Sequence, residues 1–104
     1  MSVDHVFAGI PVSDYEVARP WYERFFGRPP DLLPNDHEAA WKLTDTGWVY
    51  IVGDADRAGR ALVTILVDDL EAWAEESDDS IPGMRRAEVV DPDGNRIQLA
   101  QPRA

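Results

Sequence analysis

The sequence predicts an α+β fold built as one domain, residues 1–104, from two related modules. Residues 10–16 (IPVSDYE) return as residues 65–71 (ILVDDLE), an offset of 55 residues. A second similarity relates residues 47–52 to residues 94–99, at an offset of 47. Two long repeats indicate a duplicated module, because a solenoid needs three or more units to bury a core. We place the modules at residues 1–54 and 60–104.

The first module is predicted to begin with a strand over residues 3–12, followed by a helix. Ser13 and Glu16 have the spacing of a capping box that starts this helix. Gly27 is suited to end it, and Pro20 removes one backbone donor inside it. The apolar positions of the helix repeat with helical spacing and form a stripe: Ala18, Trp21, Tyr22, Phe25 and Phe26.

The remaining elements follow from alternating apolar residues and turn residues. We expect a short strand within residues 31–36, a hairpin of strands 38–44 and 48–52, and a linker at residues 53–59. The second module then has a strand over residues 61–67, a short helix over residues 69–76 and a final hairpin. The strands of that hairpin cover residues 86–90 and 96–101. Each half therefore has a strand, a helix and two or three further strands.

Composition excludes several function classes. The net charge is −10, so the phosphates of a nucleic acid would be repelled. The chain has no cysteine, and therefore neither disulfides nor thiolate metal sites. No apolar run reaches the roughly 20 residues of a membrane helix, and there is no signal-peptide pattern. We expect an acidic cytoplasmic protein with no membrane or nucleic-acid partner.

Three segments in order resemble the vicinal oxygen chelate superfamily, the glyoxalase, bleomycin-resistance and extradiol-dioxygenase group. They are Val12–Asp14, residues 21–27 (WYERFFG) and residues 91–99 (DPDGNRIQL). The resemblance implies paired βαβββ modules whose sheets curl around a central cavity, often in a homodimer. Only residues 77–85 separate the second helix from the last hairpin, so we expect a shortened second module that lacks a full strand there.

The resemblance also implies where metal-dependent members hold their ion. Counted from the repeats, the four ligand positions are Phe7, Ile51, Leu62 and Gln98. Three of these side chains are hydrocarbon, and divalent metals require several anionic or imidazole donors. His5, His37 and Glu38 lie outside the four positions. We therefore expect no metal and no cofactor at this site.

Without metal ligands, the same positions become an apolar pocket with a few polar groups, which is typical of small-molecule sites. The predicted pocket consists of Phe7, Trp41, Ile51, Leu62, Thr64 and Gln98. Trp41 is either a stacking surface for a planar ligand or a core residue. No nucleophile has a neighbouring base, and the serines lie at a terminus, in a cap or in an acidic loop, so we assign no catalytic residue.

These observations favour a protein that binds or sequesters a small aromatic or cationic compound and lacks the metal site of its relatives. The alternative is a divergent metalloenzyme, a lyase, isomerase or dioxygenase, that takes its ligands from His5, Glu38 and Gln98. A third reading is a dimeric scaffold whose cavity has collapsed around Phe7 and Leu62. Metal content and ligand binding distinguish the three.

Overall fold

A computed structural model describes residues 1–103. The first module contains β1 (Val6–Val12), α1 (Tyr15–Phe26), β2 (Leu32–Asn35), β3 (Glu38–Lys42) and β4 (Gly47–Gly53). The second contains β5 (Leu62–Leu66), a one-turn 3₁₀ helix (Leu70–Ala72), β6 (Met84–Val90) and β7 (Arg96–Pro102). In residues 1–103, no helix is long and apolar enough to span a membrane.

Each module forms its own mixed sheet. The strand order is β1-β4-β3-β2 in the first and β5-β7-β6 in the second, with β1 parallel to β4 and β5 parallel to β7. The parallel pairs occupy equivalent places, which confirms the predicted α+β fold with two related modules. The second module is shortened as expected. Where a fourth strand would lie, a single antiparallel bridge joins Asp78 to Arg86.

The first helix begins one residue later than predicted. Asp14, not Ser13, is its N-cap: Asp14 Oδ1 accepts hydrogen bonds from the backbone N–H groups of Glu16 and Val17, at 3.1 and 3.4 Å. Ser13 is unavailable because its hydroxyl and its backbone N–H both donate to the Asp93 carboxylate of the other module. Gly27 ends the helix as expected, with a positive φ of 76° that glycine adopts without strain.

The predicted helix over residues 69–76 is wrong in length, since only Leu70–Ala72 are helical. Asp69 occupies the N-cap position but its side chain makes no capping hydrogen bond. The backbone N–H of Leu70 donates instead to Gln101 Oε1 at 2.8 Å. Gln101 therefore provides the acceptor that a side-chain cap would otherwise supply at the start of this single turn.

The two sheets share one hydrophobic core. Each sheet turns one face toward it, and α1, the 3₁₀ helix and the residue that follows it complete it. The rings of Phe25 on α1 and Trp73, the C-cap of the 3₁₀ helix, have centroids 5.4 Å apart. Leu70 is buried in this core. The first sheet contributes Ile10, Val12, Ala39, Trp41, Val49 and Ile51, and the second contributes Ala87, Ile97 and Leu99.

The turn before β7 joins the two modules. Asn95 is fully buried; its Nδ2 donates to the Pro11 carbonyl, and its Oδ1 accepts from the Ala61 N–H. Asp91, 4% exposed, accepts hydrogen bonds from the Tyr22 hydroxyl at 2.8 Å and from Asn95 Nδ2 at 2.8 Å. Burial first, and then the hydrogen bond to Asp91, raise the pKa of Tyr22 far above its ordinary value. These buried polar groups fix how the modules sit together.

Candidate functional site

Each sheet has a second face that points away from the shared core, and these two faces hold the candidate site. We call the first the aromatic face and define it by Phe7, Gly9, Trp48 and Tyr50. We call the second the mixed face and define it by Leu62, Thr64, Leu66, Glu88, Arg96 and Gln98. Strand register places each set on one side, since cross-strand partners share a face. None of the residues that define the two faces belongs to the shared core.

The aromatic face is a cluster of rings arranged around Phe7. Phe7 stacks on Trp48 with ring centroids 5.1 Å apart and an interplanar angle of 18°, and it meets Tyr50 edge-on at 6.5 Å. The Trp48 indole donates from Nε1 to His5 Nδ1 at 3.3 Å. Phe7 remains 48% exposed despite these contacts. This cluster is an open aromatic surface, the kind of surface on which planar groups stack.

Gly9 makes room for the Tyr50 ring. A Cβ atom at position 9 would lie 2.6 Å from the Tyr50 hydroxyl oxygen and 2.7 Å from Cζ, closer than carbon atoms pack. Gly9 and Tyr50 are register partners on β1 and β4, so the ring lies across the glycine. Glycine therefore permits the close approach of this ring, and no unusual backbone angle is involved.

The mixed face combines exposed apolar and paired polar residues. Leu62 and Leu66 are 67% and 64% exposed on β5. Between them, the Thr64 hydroxyl donates to Gln98 Oε1 at 3.3 Å. Glu88 Oε1 lies 3.6 Å from Arg96 Nε across β6 and β7. An apolar surface with a few oriented polar groups has the chemical character of a small-molecule site.

Four of the six predicted site residues lie on these faces: Phe7 on the aromatic face, and Leu62, Thr64 and Gln98 on the mixed face. The structure brings Thr64 and Gln98 into contact, and it places Phe7 on the other sheet. Phe7 and Val12 lie on opposite faces of β1, since Phe7 is exposed and Val12 is fully buried.

The placement of Trp41 and Ile51 in the pocket is wrong. Both are fully buried in the core, and Trp41 Nε1 donates to the Arg28 carbonyl at 3.1 Å while its ring contacts Tyr22 and Phe26. Trp41 is therefore a core residue rather than a stacking surface. Ile51 pairs with Ile10, whose side chain points into the core as well.

The error in Ile51 arises from the repeat offset. Phe7 pairs with Trp48, and its repeat mate Leu62 pairs with Arg96, so equivalent positions on β4 and β7 differ by 48 residues and not by 47. The repeat mate of Gln98 is accordingly Tyr50. Because side chains alternate along a strand, a one-residue error exchanges the two faces. Trp48 and Tyr50 were missed for this reason, although pairing them with Phe7 and Gly9 would have found them.

The residues present do not fit a metal ion. With the corrected register, the four implied ligand positions hold Phe7, Tyr50, Leu62 and Gln98, which provide no carboxylate or imidazole. Among residues 1–103 there is no group of three or more His, Cys, Asp or Glu side chains placed to hold an ion.

The alternative ligand set of His5, Glu38 and Gln98 does not come together either. His5 contacts Trp48, whereas Glu38 pairs with Val52, four residues and about 13 Å further along β4. Gln98 belongs to the other sheet. These three side chains therefore lie too far apart to hold one metal ion.

Comparison with known proteins was made for sequence and for structure. Neither the family models nor the curated proteins that were compared match the chain. Among solved structures, a glyoxalase/bleomycin resistance protein from Catenulispora acidiphila DSM 44928 is 32% identical, with a TM-score of 0.88. The match covers 96% of this chain and 98% of that one.

Two further structures extend the comparison. TnmS3, described as an antibiotic binding protein from Streptomyces sp. CB03234, is 30% identical with a TM-score of 0.73, and 98% of each chain is covered. A bleomycin-binding protein complexed with bleomycin is 18% identical with a TM-score of 0.75, and shares the fold over 95% of this chain and 98% of that one. The identity to the Catenulispora protein and the nearly complete coverage of both chains show that the present chain belongs to the glyoxalase/bleomycin resistance protein family.

Proposed function

We propose that this protein binds and sequesters a small aromatic or cationic compound without transforming it, and that it does so as a homodimer. One observation carries the proposal: hydrocarbon side chains, Phe7 and Leu62, are exposed at positions where metal-dependent relatives are expected to hold ligands. An exposed apolar surface in place of the metal ligands can still bind a small molecule, but it offers no metal ion to activate that molecule for a reaction.

The aromatic face supports the choice of ligand class. Stacked and edge-on rings can contact another planar group through their faces. Each such contact contributes about 1 kcal/mol in addition to the free energy gained by burying apolar area. Ring faces also attract cations. The net charge of −10 adds a long-range attraction that raises the concentration of cations near the protein.

The arrangement of the faces supports a dimer. Sheet faces that carry exposed apolar residues are stabilised when another layer covers them, and here Phe7, Leu62 and Leu66 are all about half exposed or more. The residues that define the two faces lie outside the shared core. A second copy can cover them, and a ligand pocket then forms where the aromatic face of one protomer meets the mixed face of the other. The antibiotic-binding description of TnmS3 agrees with such a pocket.

Calorimetric titration with 9-aminoacridine, a planar cation, tests the proposal. We expect saturable binding that Phe7→Ala weakens at least about fivefold, because the variant removes the central ring of the cluster. Trp21→Phe is the matched control, since Trp21 stacks on Phe25 along the helix and not on the aromatic face. Failure of the wild type to bind, or an equal loss in both variants, would contradict the proposal.

Metal analysis distinguishes sequestration from the metalloenzyme alternative. Protein purified without chelators is expected to contain less than stoichiometric zinc, iron, nickel or manganese. A stoichiometric metal that is lost in Gln98→Ala would overturn the assignment of an apolar site.

A further inference from the structure

Three polar side chains form a continuous row across the mixed face. Thr64 on β5 pairs with Gln98 on β7, and Gln98 pairs with Glu88 on β6. Cross-strand neighbours of this kind have Cβ atoms about 5 Å apart, so the row crosses the whole second sheet. Leu62 and Leu66 lie on either side of Thr64 on the same face. A polar row bordered by leucines can fix the orientation of a ligand that is otherwise apolar.

The orientation of Gln98 supplies the row with a donor. Its Oε1 accepts from the Thr64 hydroxyl, which leaves the two N–H groups of its amide nitrogen, Nε2, available to another acceptor. Glu88 is the register partner of Gln98 on β6, and its carboxylate only accepts when ionised. Donor and acceptor therefore stand side by side on neighbouring strands.

Arg86 adds a second donor at the end of the row. Its Nη2 lies 3.5 Å from Asp78 Oδ2, but its Nε is buried and has no hydrogen-bond partner within residues 1–103. A buried N–H without an acceptor is costly, and most such groups in folded proteins are paired. The side chains of Asp78, Arg86, Glu88 and Gln98 line a pocket of about 120 Å³. This volume accommodates a small polar group rather than a whole ligand.

The charges around this pocket are already paired. Glu88 faces Arg96 at 3.6 Å, and Asp78 faces Arg86 at 3.5 Å. A charged ligand group would compete with one of these pairs, whereas an uncharged group that both accepts and donates would leave them intact.

Resting on the proposed function, we infer that the polar row binds an uncharged carboxamide-type group of the ligand. The carbonyl oxygen of that group accepts from Gln98 Nε2 or Arg86 Nε, and its N–H donates to the Glu88 carboxylate. The apolar part of the ligand then lies on the leucines and, in the proposed dimer, on the aromatic face of the other protomer. The ligand class is an aromatic compound that carries a primary or secondary amide, carbamate or urea.

Three naphthalene compounds of similar size test this inference by calorimetry. 2-Naphthamide has both acceptor and donor, N,N-dimethyl-2-naphthamide keeps only the acceptor, and 2-naphthoate is anionic. We expect 2-naphthamide to bind about tenfold more tightly than either of the others, as one lost hydrogen bond to a charged group requires. Glu88→Leu should abolish the preference, and Glu88→Gln, which retains an acceptor oxygen, should restore most of it.

Glu71→Leu is the control, because Glu71 is likewise an exposed glutamate paired with an arginine, Arg85, but lies outside the mixed face. Equal affinities for the amide and its dimethyl derivative, or an equal effect of Glu71→Leu, would overturn the inference while leaving aromatic binding intact. If none of the three compounds binds, the inference is overturned, and the titration with 9-aminoacridine decides separately whether the proposed function stands.

Discussion

The Tyr22 hydroxyl donates a 2.8 Å hydrogen bond to Asp91 Oδ2, and this bond ties the helix of the first module to the turn of the second. The two residues lie 69 positions apart in sequence, and both are buried. Since the carboxylate depends on this donor and on Asn95, the relative position of the modules depends on a small number of buried polar contacts.

Tyr22→Phe removes this hydrogen bond and leaves the buried Asp91 with one donor fewer. We expect the free energy of unfolding to fall by about 2 kcal/mol, as for other buried bonds to charged groups. Urea unfolding measures the change. Tyr15→Phe is the control, because the Tyr15 hydroxyl makes a longer bond of 3.4 Å to the Glu38 carbonyl. A loss no greater than that in Tyr15→Phe would contradict a role for Tyr22 in joining the modules.

The raised pKa of Tyr22 makes stability depend on alkaline pH. Above about pH 10 the unfolded chain loses the phenolic proton, whereas the folded chain keeps it, so the unfolded state binds fewer protons and stability falls as pH rises. Each pH unit above that value is expected to cost about 1.4 kcal/mol through this residue. Urea titrations between pH 8 and pH 11 should show a steeper decline in the wild type than in Tyr22→Phe, and parallel declines would refute the linkage.

The proposed dimer predicts different effects of a charge on two exposed apolar residues. Leu62 and Val17 are 67% and 60% exposed, but Leu62 lies on the mixed face and Val17 on the outer side of α1. Leu62→Glu should convert a dimer to a monomer in light scattering at micromolar concentration, because it places a carboxylate against an apolar partner surface. Val17→Glu should leave the dimer intact. A monomeric wild type would contradict the prediction.

The close approach of Gly9 to Tyr50 predicts a change in binding with little change in stability. In Gly9→Ala the new methyl group must displace the end of the Tyr50 ring, which can turn aside because it is partly exposed. We expect affinity for 9-aminoacridine to fall about fivefold, which corresponds to about 1 kcal/mol of lost aromatic contact. Gly53→Ala serves as control, since a Cβ there meets its neighbours at an ordinary 3.6 Å. Unchanged affinity in Gly9→Ala would show that Tyr50 takes no part in the site.

The net negative charge predicts a preference among planar ligands. 9-Aminoacridine should bind more tightly than acridine-9-carboxylate. Its affinity should fall as salt rises, since at 0.1 M salt charge–charge interactions are largely screened beyond about 10 Å. Lys42 is the register partner of Trp48 and lies on the same side of the first sheet. Lys42→Gln should therefore raise the affinity for the cation further. If calorimetry gives equal affinities for the two ligands at every salt concentration, the charge has no part in binding.

Much of this fold could be predicted from the sequence because residues 10–16 are repeated at residues 65–71. This repeat locates the ends of β1 and β5 and the start of the helix that follows each of them. The second offset was less informative. It depended on aligning Gly47 with Gly94, but Gly47 lies within β4, whereas Gly94 lies in a turn with a φ of 95°. Glycine is present at the two positions for different reasons, and the one-residue error moved Ile51 to the wrong face.

Two other features could not be read from local sequence. Ser13 has the chemistry of a cap, and only the distant Asp93 explains why Asp14 takes that position. The sequence pattern around Trp41 correctly predicts a strand, but it does not say whether the ring lines a ligand pocket or packs on the helix. The contacts of the ring with Tyr22 and Phe26 place it against the helix. Such choices depend on tertiary packing, which strand periodicity does not specify.

The shared core has a consequence for how the protein is made. Ile10 and Ile51 pack in one cluster with Ile97 and Leu99, and the contact between Pro11 and Asn95 spans 84 residues. A nascent chain that has emerged only as far as the first module cannot yet shield those side chains. The core cannot close until residues 91–99 have left the ribosome, and contacts between residues so distant in sequence form slowly even then. The apolar surface is open to aggregation during that time. Translation speed and chaperone supply are therefore expected to affect the yield of this chain.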